Sequence, residues 1–427
     1  MTSSLSLTLY KAVMSSLRLV LPAYLARRAK AGKEDALRMA ERYGKGYASV
    51  PKQGMRFWLH AVSVGEATAA LALAHALLQS QKQAHIIITT GTTTAAKTID
   101  SKAQEQNITH VYAPFDAPCY VERFFAHHQP DCGIIFESDF WPCLMSMAHE
   151  KAIPLYLASA QISDDSLVMW QKVPALAEAI FSDIRWCFAH DDTHARNFAK
   201  LGVPNCKVTG SLKLVAIERT KTQYAKDLSA AATGRLVLLA ASTHPGEDAQ
   251  ILAISDYLTQ MAVPHFLIIA PRHPERGDEI ARLCPDAKRR SRHELPEAGD
   301  MIYISDSLGD MPSLYQASDI VWLGATFSGK GGHNPLEAAA YGKPILCGPS
   351  QFKNQYEFDQ LTRLGVCTMI SDSRASAQYI AALYNDKDKC AAIAKSGKAY
   401  AARARKRPDK VCDMILRDLS TLQQSSS

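Results

Sequence analysis

The run Phe57-Trp58-Leu59-His60-Ala61-Val62 ends in the turn Ser63-Val64-Gly65-Glu66 and gives way to an Ala/Leu segment, Ala67–Leu78. The run has the length of a strand buried on both faces, and the segment after it the length of a helix. The unit recurs. His85–Thr90 is followed by Gly91-Thr92-Thr93-Thr94 and a helical stretch from Ala95. Cys132–Phe136, Ile153–Ser159 and Trp186–His190 continue the alternation, and a second series follows in Leu236–Ala241, Phe266–Ala270, Met301–Ile304, Ile320–Gly324 and Pro344–Cys347. Short apolar strands alternating with helices predict an α/β fold with parallel sheets flanked by helices. At 427 residues the chain is long enough for two such doubly wound, Rossmann-like domains, each with its own core.

The boundary is expected in the polar stretch Val215–Thr233. Residues 51–215 then form an N-terminal domain and 216–420 a C-terminal one, with a tail at Gln423–Ser427 expected to be disordered. Residues 1–50 carry nine Lys/Arg against three Asp/Glu, a surplus equal to the net +6 of the whole chain. The remainder is balanced, which argues against a nucleic-acid partner. Leu5–Ala26 is apolar but broken by Lys11, Arg18 and Pro22, so it fits neither a membrane span nor a signal peptide. It reads as a basic amphipathic helix lying on an anionic membrane surface; the alternative is a helix packed on the protein's own domain. Ten cysteines are scattered without a CxxC pair, as buried thiols are.

Ligands of open parallel sheets bind beyond the carboxyl ends of the strands. In the second series those ends read Ser242-Thr243-His244-Pro245-Gly246-Glu247, Pro271-Arg272-His273-Pro274-Glu275-Arg276, Ser305-Asp306-Ser307-Leu308-Gly309-Asp310 and Gly331-Gly332-His333-Asn334-Pro335-Leu336-Glu337. The Gly331-Gly332 pair leaves room for backbone to approach a ligand, Asn334 is an N-cap with Pro335 in the first turn, and Glu337 is placed to accept from ribose hydroxyls. Cations, hydroxyls and a helix start together suit a phosphate-linked nucleotide sugar. No GxxxxGK[ST] loop is present, which argues against ATP hydrolysis. The first series offers carboxylates: Glu66 after one strand, and Glu137 with Asp139 after another, placed either to bind a metal or sugar hydroxyls or to face water.

These motifs, with Gly210-Ser211-Leu212-Lys213 and Trp141-Pro142 after Asp139, occur in one order in one chain. In that combination, from about Leu9 to about residue 415, the chain resembles the 3-deoxy-D-manno-octulosonic acid (Kdo) transferases of lipopolysaccharide assembly. The resemblance implies a GT-B fold, two Rossmann-like domains facing a central cleft, and inverting transfer from CMP-Kdo to a lipid A precursor (lipid IVA). It implies a peripheral position on the cytoplasmic face of the inner membrane, with no cofactor and no required metal. Residue by residue, Glu66 matches the general base, with Glu137 and Asp139 beside it in the acceptor-binding half. Lys213, Ser242, Thr243, Arg272, His273, Gly309, Asp310, Gly332, Asn334 and Glu337 match donor-binding positions. Four departures stand out. Asp139 replaces the second acid of Glu-x-Glu, and Ser159-Ala160-Gln161-Ile162-Ser163-Asp164-Asp165-Ser166 replaces Asn-Ala-Arg-Leu-Ser-x-Arg-Ser. Gly309-Asp310 stands for Gly-Glu, and Gly348-Pro349-Ser350 for Gly-Pro-His. The lost arginines weaken the case for the usual phosphorylated acceptor. The residues leave open a diverged paralogue using a related CMP-activated sugar with a different acceptor, and a non-catalytic sugar-nucleotide-binding protein.

Overall fold

The computed structural model of the protein describes residues 5–49, 54–102, 107–213 and 222–426. The chain divides into two units, Met1–Leu214 with Arg405–Ser427, and Val215–Ala404. The division falls within a span outside the described residues, as does the start of the expected boundary stretch. The far end differs from expectation. Residues 405–420 belong to the first unit, because the helix Arg407–Ser426 sets Val411, Cys412, Ile415 and Leu419 into that unit's core. The same helix runs through Gln423, where a disordered tail is expected.

The first unit is built on β1 (Arg56–His60), β2 (His85–Thr90), β3 (Ile108–Tyr112), β4 (Cys132–Phe136), β5 (Leu155–Ala160), β6 (Ile184–Ala189) and β7 (Cys206–Val208). They form one parallel sheet in the order β3-β2-β1-β4-β5-β6-β7. Successive side chains of a strand point to opposite faces. Phe57 and Leu59 therefore join Leu73, Leu77 and Ile415 in one layer, while Trp58 joins Val121, Phe124 and Phe125 in the other. All three β1 side chains are fully buried, each worth about 1.5–3 kcal/mol of transfer free energy. Trp58 Nε1 donates to Thr89 Oγ1 at 2.9 Å, so the indole is not left polar in the core.

The N-terminal segment is not one helix but two, Leu5–Leu17 and Leu21–Lys30, with Pro22 tolerated in the first turn of the second. Met14, Leu21 and Leu25 join the core of the first unit, while Leu5, Leu9, Val13, Leu17, Val20 and Tyr24 are exposed. Among the described residues no helix is long and apolar enough to cross a membrane.

The second unit repeats the plan with β8 (Leu236–Thr243), β9 (His265–Pro271), β10 (Lys288–Arg289), β11 (Ile302–Ile304), β12 (Ile320–Leu323), β13 (Ile345–Cys347) and β14 (Cys367–Met369). These are all parallel, ordered β10-β11-β9-β8-β12-β13-β14. The expected α/β class, with two Rossmann-like doubly wound domains, is what the chain forms. All ten cysteines are free thiols.

Beneath the β8 end, Arg276 forms a buried ion pair with Asp248, whose other oxygen accepts from Thr243 Oγ1 at 2.7 Å. Removing one partner of such a pair leaves an uncompensated buried charge. Arg276 keeps Glu279 at 3.1 Å, so Asp248→Asn is expected to lower stability by about 1–3 kcal/mol, read from urea unfolding followed by circular dichroism. A loss below about 1 kcal/mol would place the pair with the dispensable surface bridges.

Candidate active site

Each sheet has a point where successive connections diverge to opposite sides, and a ligand crevice opens there beyond the strand ends. In the first unit that point lies between β1 and β4. Ser63 caps the helix Val64–Ser80, accepting from Glu66 N–H at 3.3 Å. The Glu66 carboxylate turns back: Oε1 accepts from Ser63 Oγ at 2.6 Å and Oε2 from Val62 N–H at 2.8 Å. This resembles a capping box, with the glutamate three residues after the cap, but its backbone donor is Val62, one residue before the cap. It fixes the carboxylate at the head of the helix, where the residue is 6% exposed.

From β4 comes Glu137, in the left-handed region at φ 56°, a conformation costly for any residue but glycine. Its backbone bridges to β5, donating to Ala158 O and accepting from Gln161 N, both at 3.1 Å. Two residues on, Asp139 is hydrogen-bonded to Glu66. Burial, that hydrogen bond, and the charges of Glu66 and Glu137 push the Asp139 pKa up to about 8. Asp139 titrates together with Glu66, and the raised value favours a proton held between the two carboxyl groups at neutral pH. Lys213 Nζ lies 3.0 Å from Glu137 Oε1, and a Cβ on Gly65 would sit 3.0 Å from the same nitrogen. Glu66, Glu137, Asp139 and Lys213 therefore form one cluster. Lys213, matched to a donor-binding position by the resemblance, stands in the first unit, where the neighbouring Leu212 N–H is anchored to Ser159 Oγ at 3.0 Å.

Of the departures beyond β5, Asp164 and Asp165 occupy the first turn of the helix Asp164–Gln171, capped by Ser163. Asp164 Oδ1 accepts from Asn197 Nδ2 at 2.8 Å. Both acids suit the positive end of that helix.

In the second unit the corresponding point lies between β8 and β12. Ser242 adopts φ 57° at the β8 end, and Thr243 is fully buried with its hydroxyl given to Asp248. Thr243 is therefore part of the scaffold here. Sequence reasoning quoted Glu247 without giving it a role. Fully buried, it accepts from the N–H groups of His244 (2.8 Å), Ala325 (2.9 Å), Phe327 (3.1 Å) and Ser328 (3.1 Å). It moulds the loop that follows β12. The glycine pair in that loop serves the fold. Gly331 and Gly332 have φ 90° and 75°, and a Cβ would meet the Phe352 ring at 2.7 Å and the Phe358 ring at 2.8 Å.

Asn334 Oδ1 accepts from Leu336 N–H at 3.0 Å, although the N-cap position itself falls to Pro335, which makes no side-chain cap bond. The helix it opens spans only Leu336–Ala340. Glu337 accepts from the Tyr315 hydroxyl; burial raises its carboxyl, against the pull of Tyr315 and Arg272. His244 and His333 stack at 5.2 Å with Nε2 atoms 3.1 Å apart, and His273 meets His244 edge-on at 5.9 Å. Burial, then His244, Arg272, Lys353 and His273, pull the His333 pKa down to about 4, so that ring is neutral. The positive charge at this edge comes from Arg272 and Lys353. Asp310, after Gly309 at φ 92°, is held by Ser307 Oγ and by Arg290 Nε at 3.2 Å.

The Asp139 shift has a measurable sign. An unfolded aspartate titrates near ~3.9, so from there up to about pH 8 the folded chain keeps a proton that the unfolded chain has released. Stability therefore falls as pH rises through that window. Asp139→Asn mimics the protonated acid, and its melting temperature should exceed the parent's above pH ~8 and match it near pH ~4. Equal melting temperatures at both ends would remove the proton from Asp139.

Residues 37–216 match the family described as 3-deoxy-D-manno-octulosonic-acid transferase (kdotransferase). The chain is 33% identical to the 3-deoxy-D-manno-octulosonic acid transferase of Haemophilus influenzae, over 82% of this chain and 84% of that one. It is 31% identical to that of Bordetella pertussis, over 89% and 91%. A solved structure of a putative UDP-N-acetylglucosamine 2-epimerase from Listeria monocytogenes is similar in fold, with TM-score 0.60 and 13% identity over 86% of this chain and 97% of that one. With its first-turn glutamate at one switch point and its histidine–arginine edge at the other, the chain belongs to the 3-deoxy-D-manno-octulosonic acid transferase family.

Proposed function

We propose that this protein is an inverting glycosyltransferase that moves Kdo from CMP-Kdo to a hydroxyl of a lipid A precursor. The observation that carries the chemistry is the Glu66 carboxylate, fixed by Val62 and Ser63 and in contact with protonated Asp139. Glu66 takes the proton from the acceptor hydroxyl while its oxygen bonds to the anomeric carbon of the donor sugar. The bond from that carbon to the phosphate oxygen breaks, and cytidine monophosphate leaves with the electron pair. Burial, then Glu66, favour the neutral form of Asp139, and Glu137, braced by Lys213, adds to this by like charge.

Arg272 and Lys353 supply charge to the departing phosphate, Asn334 holds open the loop at the β12 end, and Glu337 takes the ribose hydroxyls. His273, Ser242, Gly309 and Asp310 remain candidates for donor contacts on the same sheet edge. A monophosphate leaving group carries little charge, so fixed cations serve where a metal would otherwise be needed.

The acceptor is a lipid, and the N-terminal helices support that assignment. Their exposed apolar residues, Leu5, Leu9, Val13, Leu17, Val20 and Tyr24, run beside Arg18, Arg27 and Arg28, the mixture that settles at an anionic bilayer surface. The site of action is then the cytoplasmic face of the inner membrane, with the protein peripheral.

The test is mass analysis of the product after incubation with CMP-Kdo and a tetra-acylated lipid A precursor. The parent is expected to add the mass of Kdo. Glu66→Gln, isosteric but not basic, should lose about 100- to 10,000-fold in turnover with cytidine monophosphate affinity unchanged. Turnover within a few-fold of the parent would take Glu66 out of the mechanism.

A further inference from the structure

Beside the Glu66 cluster, inside the first unit, lies a cavity of about 250 Å³ roofed by the helix Leu21–Lys30. Leu21, Leu25, Phe115, Trp141 and Leu144 give it apolar walls. Its charged wall groups are already bonded. Arg42 donates to Ala113 O (3.0 Å) and Gly91 O (2.6 Å) and pairs with Glu34, which also takes Arg28. Asp116 accepts from Cys143 N–H (3.0 Å), Leu144 N–H (2.8 Å) and the Tyr10 hydroxyl (2.9 Å). A phosphate or nucleotide would have to break these bonds to be received.

One wall residue differs. His60 is 1% exposed, and its Nε2 has no hydrogen-bond partner among the described residues. Its Nδ1 lies 2.8 Å from Thr89 Oγ1, which already accepts from Trp58 Nε1 and has Leu59 O at a longer 3.4 Å. In the tautomer in which Thr89 gives its proton to Nδ1 and not to Leu59 O, the ring hydrogen stands on Nε2 as a donor without an acceptor. Burial, then Arg42, pulls the ring's pKa down to about 3, so it is neutral at physiological pH.

An apolar cavity with a buried, unmet donor in its wall fits a hydrocarbon chain that carries one acceptor oxygen. The roof says where such a chain comes from. Tyr24 lines the cavity and is 53% exposed on the apolar face that also bears Val20. The floor says what it would position, since wall residue Val62 donates its N–H to Glu66. We propose that this cavity receives one acyl chain of the acceptor, its carbonyl oxygen accepting from His60 Nε2. The inference rests on the reading of the acceptor as a lipid, and it makes His60 a positioning residue that aims the attached sugar at Glu66.

The test titrates the full-length protein with N-decanoylglucosamine below its micelle concentration, with N-acetylglucosamine as the short-chain control. The parent should bind the decanoyl compound and discriminate against the acetyl one. His60→Phe, which keeps the ring and removes the donor, and Ala113→Leu, which fills the cavity, should each weaken decanoyl binding about tenfold, the worth of one hydrogen bond or a blocked pocket. Cytidine monophosphate affinity should not move. Should His60→Phe unfold, Ala113→Leu leaves the hydrogen bonds in place and carries the test. Parental decanoyl affinity in the folded variants, or equal binding of both compounds, overturns the proposal. Product analysis run in parallel separates the two readings. Kdo transfer without chain discrimination refutes the cavity alone, and discrimination without transfer refutes the lipid-acceptor transferase and leaves the cavity standing.

Discussion

Every strand in both sheets runs parallel to its neighbours, and the placement of the chemistry depends on that constraint. A parallel sheet delivers all its strand ends to one edge and starts its helices there, so polar loops collect along a single line. In the first unit the divergence of connections on either side of β1 opens that line at Ser63–Glu66 and Glu137–Asp139. In the second it opens at Ser242–His244 and the loop after β12. The residues that carry chemistry are those for which the sheet has left space.

Two glutamates in first-turn positions show how environment assigns a role. Glu247 is fully buried and spends both oxygens on four backbone N–H groups, so its charge shapes a loop. Glu66 has one backbone donor, one hydroxyl and a neighbouring acid whose proton it shares. The first is satisfied by the fold alone. The second is held at a fixed angle beside a titrating partner, as a base must be before an acceptor hydroxyl arrives. The histidines at the other edge follow the same logic: burial keeps His333 neutral, and net charge there falls to Arg272 and Lys353.

Much of this was legible in the sequence, and the omissions have physical causes. The central strands were legible because burial on both faces demands unbroken apolar runs, as in Cys132–Phe136 and Phe266–Ala270. β3 was missed because Thr109 and His110 interrupt it; both are met by side-chain bonds, to His85 and Thr90, that only the register reveals. β7, β10 and β14 are short and only partly buried, so no apolar run marks them, whereas the equally short β11 and β13 are mostly buried. Glu66 and Asp139 could be picked out singly, but their contact spans loops after two strands far apart in sequence. The contact of Lys213 with Glu137 was not legible, because the two stand far apart in sequence. The Gly331-Gly332 pair was read as room for a ligand, whereas positive φ and two phenylalanine rings, which lie further on in the chain, are what call for it.

The helix Arg407–Ser426 returns to the first unit and gives Val411, Cys412, Ile415 and Leu419 to its core, while Asp418 takes the Arg185 guanidinium through both oxygens. In genetic terms the second unit is an insertion. Residues 215–404 are a continuous passage that could be lifted out whole, whereas the first unit is written in two separated pieces. A truncation close to the C-terminus therefore removes residues of the first unit, although every residue removed lies after the second unit in the sequence.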